Sequence, residues 1–499
     1  MKHNRRAFMA ATASSAGLVG QTQAQTQKPA KLTGYSPGKF LSKIDGLELL
    51  NLWGDMPDSI QGLYSAIEGV LLRDRLATFS DVGRDAKVQE RCKSMGLKHF
   101  GGPMLGCIGE QSVKVWVRTC KPANVEVRIR LGNVEKKFGP VVSTEESDLV
   151  ATVPVEGLEA GQRYPYRVLV DGSPIVIPQH ATISTVPSGG RMRLAFGSCP
   201  HRWGLGNQKL ADLIRSREPS ALMIYGDIAA QDKNNDFGKH RCDYQIRDLF
   251  PAWQSLSCSV PMFTTWDDHD YFDNDRSGIP KGFAEADRRG VLKTFQQSWV
   301  NPASGFGDER GGVFFRTRLG PCDVIMLDNR YFRTGEKRGF LGNGQSDWLK
   351  KQLLECKGPF IVVSCGTMWT DHISKGKDSW GKYDPEGREE LFRFIEQHRI
   401  PGVLLLSGDR HGASVFRIPR RDGFSFYEFE PACLGGRTGP AGSAGKHPDA
   451  LFATHGKYAF GEFSFDATRA DPAVTFRLIH ESGETLYELT LRRSQLTPA

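Results

Sequence analysis

Met262-Phe263-Thr264-Thr265-Trp266-Asp267-Asp268-His269-Asp270-Tyr271 passes within a few residues from an apolar run to a cluster of carboxylates around an imidazole. The run reads as a short strand buried on both faces, and in open α/β sheets ligands sit beyond the carboxyl ends of such strands. Three more apolar runs end in the same way. Residues 194–196 lead into Gly197-Ser198-Cys199-Pro200-His201, Ala221–Tyr225 into Gly226-Asp227, and Val403–Leu406 into Ser407-Gly408-Asp409-Arg410-His411. A Gly-Asp pair after one strand is ordinarily a turn or a helix start. Several strand ends that together offer cysteine, histidine and aspartate imply one site. Carboxylates buried side by side lose hydration and repel one another, so such a site calls for cations.

Outward from these ends, strands and helices alternate. Residues 324–327 and 360–364 are further apolar runs, and residues 207–217, 281–299 and 345–354 carry helical spacing. Residues 190–499 are therefore expected to form an α/β unit, with the strand-rich close at 460–491 completing one of its sheets. Upstream, over residues 101–187, the pattern changes to alternation, as in Val113, Val115 and Val117, again at 125–131 and again at 164–170. Short strands and turn clusters such as Glu156-Gly157-Leu158-Glu159-Ala160-Gly161 predict a small β-sandwich there. Residues 25–100 read as a partly helical wrap, with Leu63, Ile67, Val70 and Leu71 at helical spacing.

Bulk properties set the compartment and exclude some partners. A chain of 499 residues exceeds what one core usually organises. It is 39% hydrophobic and 24% charged, and no apolar run approaches the roughly 18 to 20 residues that span a bilayer, so no transmembrane segment is expected. The formal charge of +8 is spread without a basic block, which gives no sign of nucleic-acid binding. Asn4-Arg5-Arg6-Ala7-Phe8-Met9, a weakly apolar Ala/Ser/Gly stretch and Thr22-Gln23-Ala24 resemble a twin-arginine signal peptide over residues 1–24. That resemblance implies the twin-arginine export machinery as a partner and a periplasmic or secreted product. The ten cysteines are scattered, with no C-x-x-C pair, so some could pair as disulfides but no zinc ribbon is indicated.

From residue 194 onward the blocks match a known family in order. Residues 194–200, Tyr225-Gly226-Asp227, the Trp-Asp-Asp-His-Asp-Tyr block ending in Asn274-Asp275, Leu327-Asp328-Asn329-Arg330-Tyr331-Phe332-Arg333, Leu341-Gly342-x-x-Gln345-x-x-Trp348-Leu349 and the Ser-Gly-Asp-x-His block at 407–411 resemble the PhoD-type alkaline phosphatases, calcineurin-like metallophosphoesterases. The resemblance implies an αββα fold of two mixed sheets flanked by helices, here preceded by a small fibronectin-like sandwich. It further implies one metal at Cys199, Asp227 and His411, a second at Asp227, Asp268 and Asp409, and Asp227 as the bridge. Iron with calcium is the pair such relatives use, and thiolate plus imidazole on one ion with oxygens on the other agrees with ligand softness. His269 would protonate the leaving oxygen or stabilise the charged phosphoryl oxygens. Arg330 would hold phosphate.

One departure bears on the metals. Where the family carries a tyrosine ligand after Gly-Asp-x-x, this chain has Ala230. Cys199-Pro200-His201 has the spacing of the Asp-x-His motif of other calcineurin-like phosphoesterases, so His201 is expected in the vacated ligand position, with zinc or manganese as alternatives to iron. Cys365, after the 360–364 strand, reads as a buried core thiol. The expected activity is hydrolysis of phosphate mono- or diesters by a hydroxide held on or between the ions. No Gly-x-Ser-x-Gly elbow stands at the strand ends. The alternative is an inactive or metal-structural relative that binds cell-envelope polymer through the sandwich.

Overall fold

Period-two alternation in the buried strands builds the layers. In Ala221–Tyr225, Ala221, Met223 and Tyr225 face one way into a core shared with Val324, Met326, Val362, Leu404 and Phe429. Leu222 and Ile224 face the other way and pack against helices through Leu210, Ile214, Tyr244 and Phe295. The partner sheet mirrors this. Ile325, Ile361, Val363 and Leu405 turn outward onto Leu349, Leu353, Leu391, Phe392 and Ile395 of its own helices. Two sheets thus face each other between two helical layers, which is the αββα arrangement. The computed structural model describes residues 44, 46–335, 339–372, 378–439 and 444–499, so the twin-arginine-like leader lies outside the described residues.

The first sheet has nine strands in the order Thr485–Arg492, Ala473–His480, Ala459–Asp466, Arg191–Gly197, Ala221–Tyr225, Met262–Thr265, His99–Gly106, Ser112–Thr119 and Val150–Glu156. The second has seven: Phe315–Leu319, Cys322–Met326, Phe360–Ser364, Val403–Leu406, Ser425–Pro431, Ala413–Pro419 and Ala450–Thr454. Arg191–Gly197, Ala221–Tyr225 and Met262–Thr265 run parallel, as do Cys322–Met326, Phe360–Ser364 and Val403–Leu406. Their carboxyl ends therefore open at one rim.

The sandwich is not a separate block. One of its sheets, Val134–Ser143, Ala123–Leu131, Arg163–Val170 and Ser173–Pro174, with Thr182–Ser184 also paired to Arg163–Val170, stands alone. Its other sheet continues the nine-stranded one through a parallel pairing of Gly106 with Met262. A side chain at Gly106 would put a Cβ 2.2 Å from the Val300 carbonyl oxygen, so the junction requires glycine. The wrap contributes Asp58–Leu71, Phe79–Arg84 and Ala86–Met95, whose apolar faces meet Phe100, Cys120, Leu149 and Cys242. Beneath it, Arg241 donates to Asp148, which also accepts the Phe79 backbone N–H, tying wrap, sandwich and helix Phe237–Leu249 of the α/β unit together. All ten cysteines are free thiols, and Cys365 packs in the outer core of the second sheet. Among the described residues no helix is long and apolar enough to cross a membrane.

Candidate metal centre

The strand ends fold back on themselves in a way L-residues resist. Cys199 (φ +54°), His201 (+50°), Asp227 (+54°), Asp409 (+70°) and His411 (+62°) all lie in the left-handed region. Each such conformation costs on the order of 1–3 kcal/mol and persists only where surrounding structure enforces it. Here the backbone supplies that enforcement. The Cys199 N–H donates to the Gly226 carbonyl at 3.0 Å and the His201 N–H to the Asp227 carbonyl at 2.7 Å. Gly226 (φ +92°) is required because a Cβ there would sit 2.5 Å from that of Asp267. The Asp270 carboxylate then clasps the next residues, accepting from Ile228 N–H at 2.8 Å and Ala229 N–H at 3.1 Å.

These turns bring ligand atoms together. Cys199, Asp227 and His411 lie with their donor atoms within 4.8 Å of one another, and so do Asp227, Asp268 and His269. Asp227 belongs to both groups. Asp409 stands in a third group, with Asp267 and Asp378, rather than directly with Asp227 and Asp268. His201 lies beside the first group, its ring 5.1 Å from that of His411 and 5.6 Å from that of His269. Asp227 is fully buried, while Asp409 and His411 are part-exposed, so the cluster opens to solvent on their side.

Hydrogen bonds orient the imidazoles. His411 Nδ1–H donates to the Arg437 carbonyl at 2.8 Å, which leaves the lone pair on Nε2, the arrangement that metal-binding histidines adopt. His201 Nδ1–H donates to Gln231 Oε1 at 2.6 Å. His269 Nδ1–H donates to Asp232. Sequence reading missed Gln231 and Asp232 because both sit in an unpatterned loop. It also passed over Asp267 as a group in its own right, and Asp378, which belongs to no block.

The electrostatics are those of a cage built for cations. Both carboxylate oxygens of Asp227 are buried without a hydrogen-bond partner among the described residues. Burial pushes the Asp227 carboxyl well above the carboxylate range, His269 opposing and Asp268, Asp267 and Asp270 adding to the rise. Burial, reinforced by Asp227, likewise pushes the Cys199 thiol well above its ordinary value. Burial holds His411 down at about 4 and therefore neutral, as a ligand must be. A cation would reverse the first two shifts, drawing out the Cys199 thiolate and the Asp227 carboxylate. The residues present therefore fit metal.

Arg330 is fully buried among the acids. It pairs with Asp267 and Asp378 and lies 3.6 Å from Asp268, while its Nη1 has no partner among the described residues. Asp328 fixes this segment, accepting from Trp266 Nε1 at 2.8 Å and from the backbone N–H groups of Arg330 and Tyr331. Gln345 brackets Asp328 in turn, accepting its N–H at 2.9 Å and donating to its carbonyl at 2.7 Å.

His269 carries a testable pH signature. Burial disfavours its imidazolium, yet Asp227, Asp268 and Asp232 outweigh burial and raise its pKa well above the ordinary 6.5. A group so raised keeps its proton until pH climbs through the folded value. Asp232→Asn is thus expected to move the alkaline limb of the pH–rate profile down by about one unit and to lower kcat roughly ten- to a hundredfold. A profile superimposable on wild type would remove Asp232 from the mechanism.

A family model described as PhoD-like phosphatase matches residues 225–494, more than half of the chain. A second, described as a domain of unknown function (DUF7800), matches residues 98–188. Among solved structures, one of PhoD aligns at a TM-score of 0.68 and 16% identity, covering 80% of this chain and 91% of that one. The purple acid phosphatase PPD1 of yellow lupin (Lupinus luteus) seeds aligns at a TM-score of 0.60 and 14% identity, covering 78% and 74%. At these identities the likeness is one of fold, which is calcineurin-like. No curated protein matches by sequence.

Proposed function

Because this chain belongs to the PhoD-like phosphatase family, whose members hydrolyse phosphate esters, we propose that it holds two cations joined through Asp227 and cleaves mono- or diesters outside the cytoplasm. The observation that carries this reading is the Asp227 carboxylate, wholly buried, unpartnered among the described residues and common to two ligand groups. Cys199, His411 and Asp227 would hold one ion; Asp227 and Asp268, with Asp409 from the solvent side, would hold the other. Iron with calcium suits the two donor sets, with zinc or manganese as alternatives. When bound, such ions lower the pKa of water and draw charge from phosphoryl oxygens.

The remaining work falls to the chain itself. His269, its Nδ1–H held by Asp232, has a ring nitrogen within 4.8 Å of carboxylate oxygens of Asp227 and Asp268, and from there would give a proton to the leaving oxygen. Arg330 offsets the charge of Asp267, Asp268 and Asp378, and enclosed by them it would act on phosphate through its charge rather than by direct contact. His201 stands where a further nitrogen could complete the first ion's shell in place of the tyrosine that is Ala230 here. His201→Ala is expected to lower retention of that ion about ten- to a hundredfold, read by competition with a chelator. Unchanged retention would leave His201 a packing residue. Export rests on the twin-arginine-like leader.

The decisive assay is hydrolysis of nitrophenyl phosphate and bis-nitrophenyl phosphate by metal-replete protein. Turnover of at least one, abolished by chelator, is expected. Turnover of neither by a metal-replete protein would favour polymer binding without catalysis.

A further inference from the structure

The N-terminal wrap meets the one-turn helix His201–Gly204, which begins at the histidine expected in the first ion's shell. Trp53, just after helix Gly46–Leu50, donates its indole N–H to the Trp203 carbonyl at 2.5 Å. The Trp203 ring is fully buried and stacks on the His201 ring, 4.8 Å between centroids and 18° between planes. Gly206 leaves room for Trp53, because a Cβ there would stand 2.2 Å from the indole Cδ1. A second route ends on the same imidazole. The Ile44 carbonyl accepts from Arg202 Nη2 at 3.1 Å, and Arg202 Nε lies 3.4 Å from Asp243 Oδ1. Asp243 Oδ2 accepts the Gln231 N–H at 3.2 Å, and Gln231 Oε1 accepts from His201 Nδ1.

His201 needs such support. It holds φ +50°, a conformation that persists only where its surroundings enforce it. Its N–H bond to the Asp227 carbonyl fixes the backbone but not the ring. The ring is held by the Trp203 stack on one face and by Gln231 at Nδ1, and both supports lead back to the wrap. Groups that orient a metal-binding imidazole commonly change metal affinity about ten- to a hundredfold when removed. We propose that Trp53 is a positioning residue of the metal centre. Through Trp203 it sets the His201 ring, so the wrap governs the first ion's affinity although no proposed ligand comes from it. The proposal rests on the metal reading of the centre, with His201 in the first ion's shell.

Cobalt(II) added to chelator-stripped protein is the probe. Its visible bands report ligand number and geometry, and a near-ultraviolet thiolate band marks binding at Cys199. Wild type is expected to show both. Trp53→Ala should weaken cobalt binding about tenfold and shift the visible bands while keeping the thiolate band. Gly206→Ala displaces the same indole with one methyl group and should do the same, so the result does not depend on one variant folding. A double-mutant cycle separates positioning from a general loosening of the fold. In a His201→Ala background, Trp53→Ala should cost nothing further, whereas general loosening would cost the same tenfold in both backgrounds. Wild-type affinity and bands in the two folded variants, or an undiminished loss in the His201→Ala background, overturns the positioning role alone. Wild-type protein that binds no cobalt at its thiolate overturns the metal-centre reading, and this inference with it.

Discussion

Asp227→Asn is expected to lower kcat/KM for nitrophenyl phosphate by about a thousandfold or more while the protein still folds. Asparagine is the informative replacement because it tolerates the left-handed backbone that Asp227 adopts at φ +54°. It also keeps the side-chain volume, so neither strain nor a cavity confuses the result. What it cannot do is bridge: an amide has a single acceptor atom and no charge, whereas Asp227 belongs to both ligand groups with both oxygens unpartnered among the described residues. The loss should therefore exceed that from any residue belonging to one group only. In chelator-treated protein the sign reverses. A buried carboxylate without a partner is destabilising, so stripped Asp227→Asn should melt no lower than stripped wild type. Activity within tenfold of wild type would show that Asp227 does not join two ions.

Stripping the metals is expected to lower Tm by roughly 5–15 °C at pH 8, with the gap narrowing toward pH 5. The direction follows from the acids. Burial pushes the Asp409 carboxyl up to about 7, Arg410 pulling the other way and Asp268, Asp267 and Asp378 adding to the rise. Burial raises the Asp227 carboxyl as well. An aspartate with a folded pKa above its unfolded value of about 3.9 contributes stability that is full below that value. That stability is lost as pH rises through the folded value. Stripped protein should accordingly weaken as pH rises from about 4 to about 7, whereas cations hold the same carboxyls ionised and flatten the curve. Thermal melts across this range, with and without chelator, read the effect. Parallel curves would mean that these acids are not brought together in solution.

Much of this site could be read before folding because its chemistry stands at strand ends. Ala221–Tyr225, Met262–Thr265, Phe360–Ser364 and Val403–Leu406 are strands with the bounds their apolar runs suggest, since parallel strands covered on both faces need uninterrupted apolar sequence. The residues after them are the ones that gather. Other features carry no local signature. The fusion of the sandwich to the catalytic sheet depends on a single pairing, Gly106 with Met262, and edge contacts of that kind leave no periodicity. Cys199, His201, Asp227, Asp409 and His411 take positive φ without being glycine, and only glycine announces that conformation in sequence. Gln231 and Asp232 orient His201 and His269 from a loop where polar residues are expected for solvation alone. Arg330 was legible as a cation near phosphate, but its enclosure by Asp267 and Asp378 arises from segments more than forty residues apart.

Elemental analysis of the folded, purified protein bears most directly on the paired-cation centre. About two equivalents of metal per chain are expected in wild type, falling to about one or fewer in Asp227→Asn, in keeping with a shared carboxylate. Wild-type protein that folds without stoichiometric metal, or an Asp227→Asn protein that retains the full complement, would contradict it.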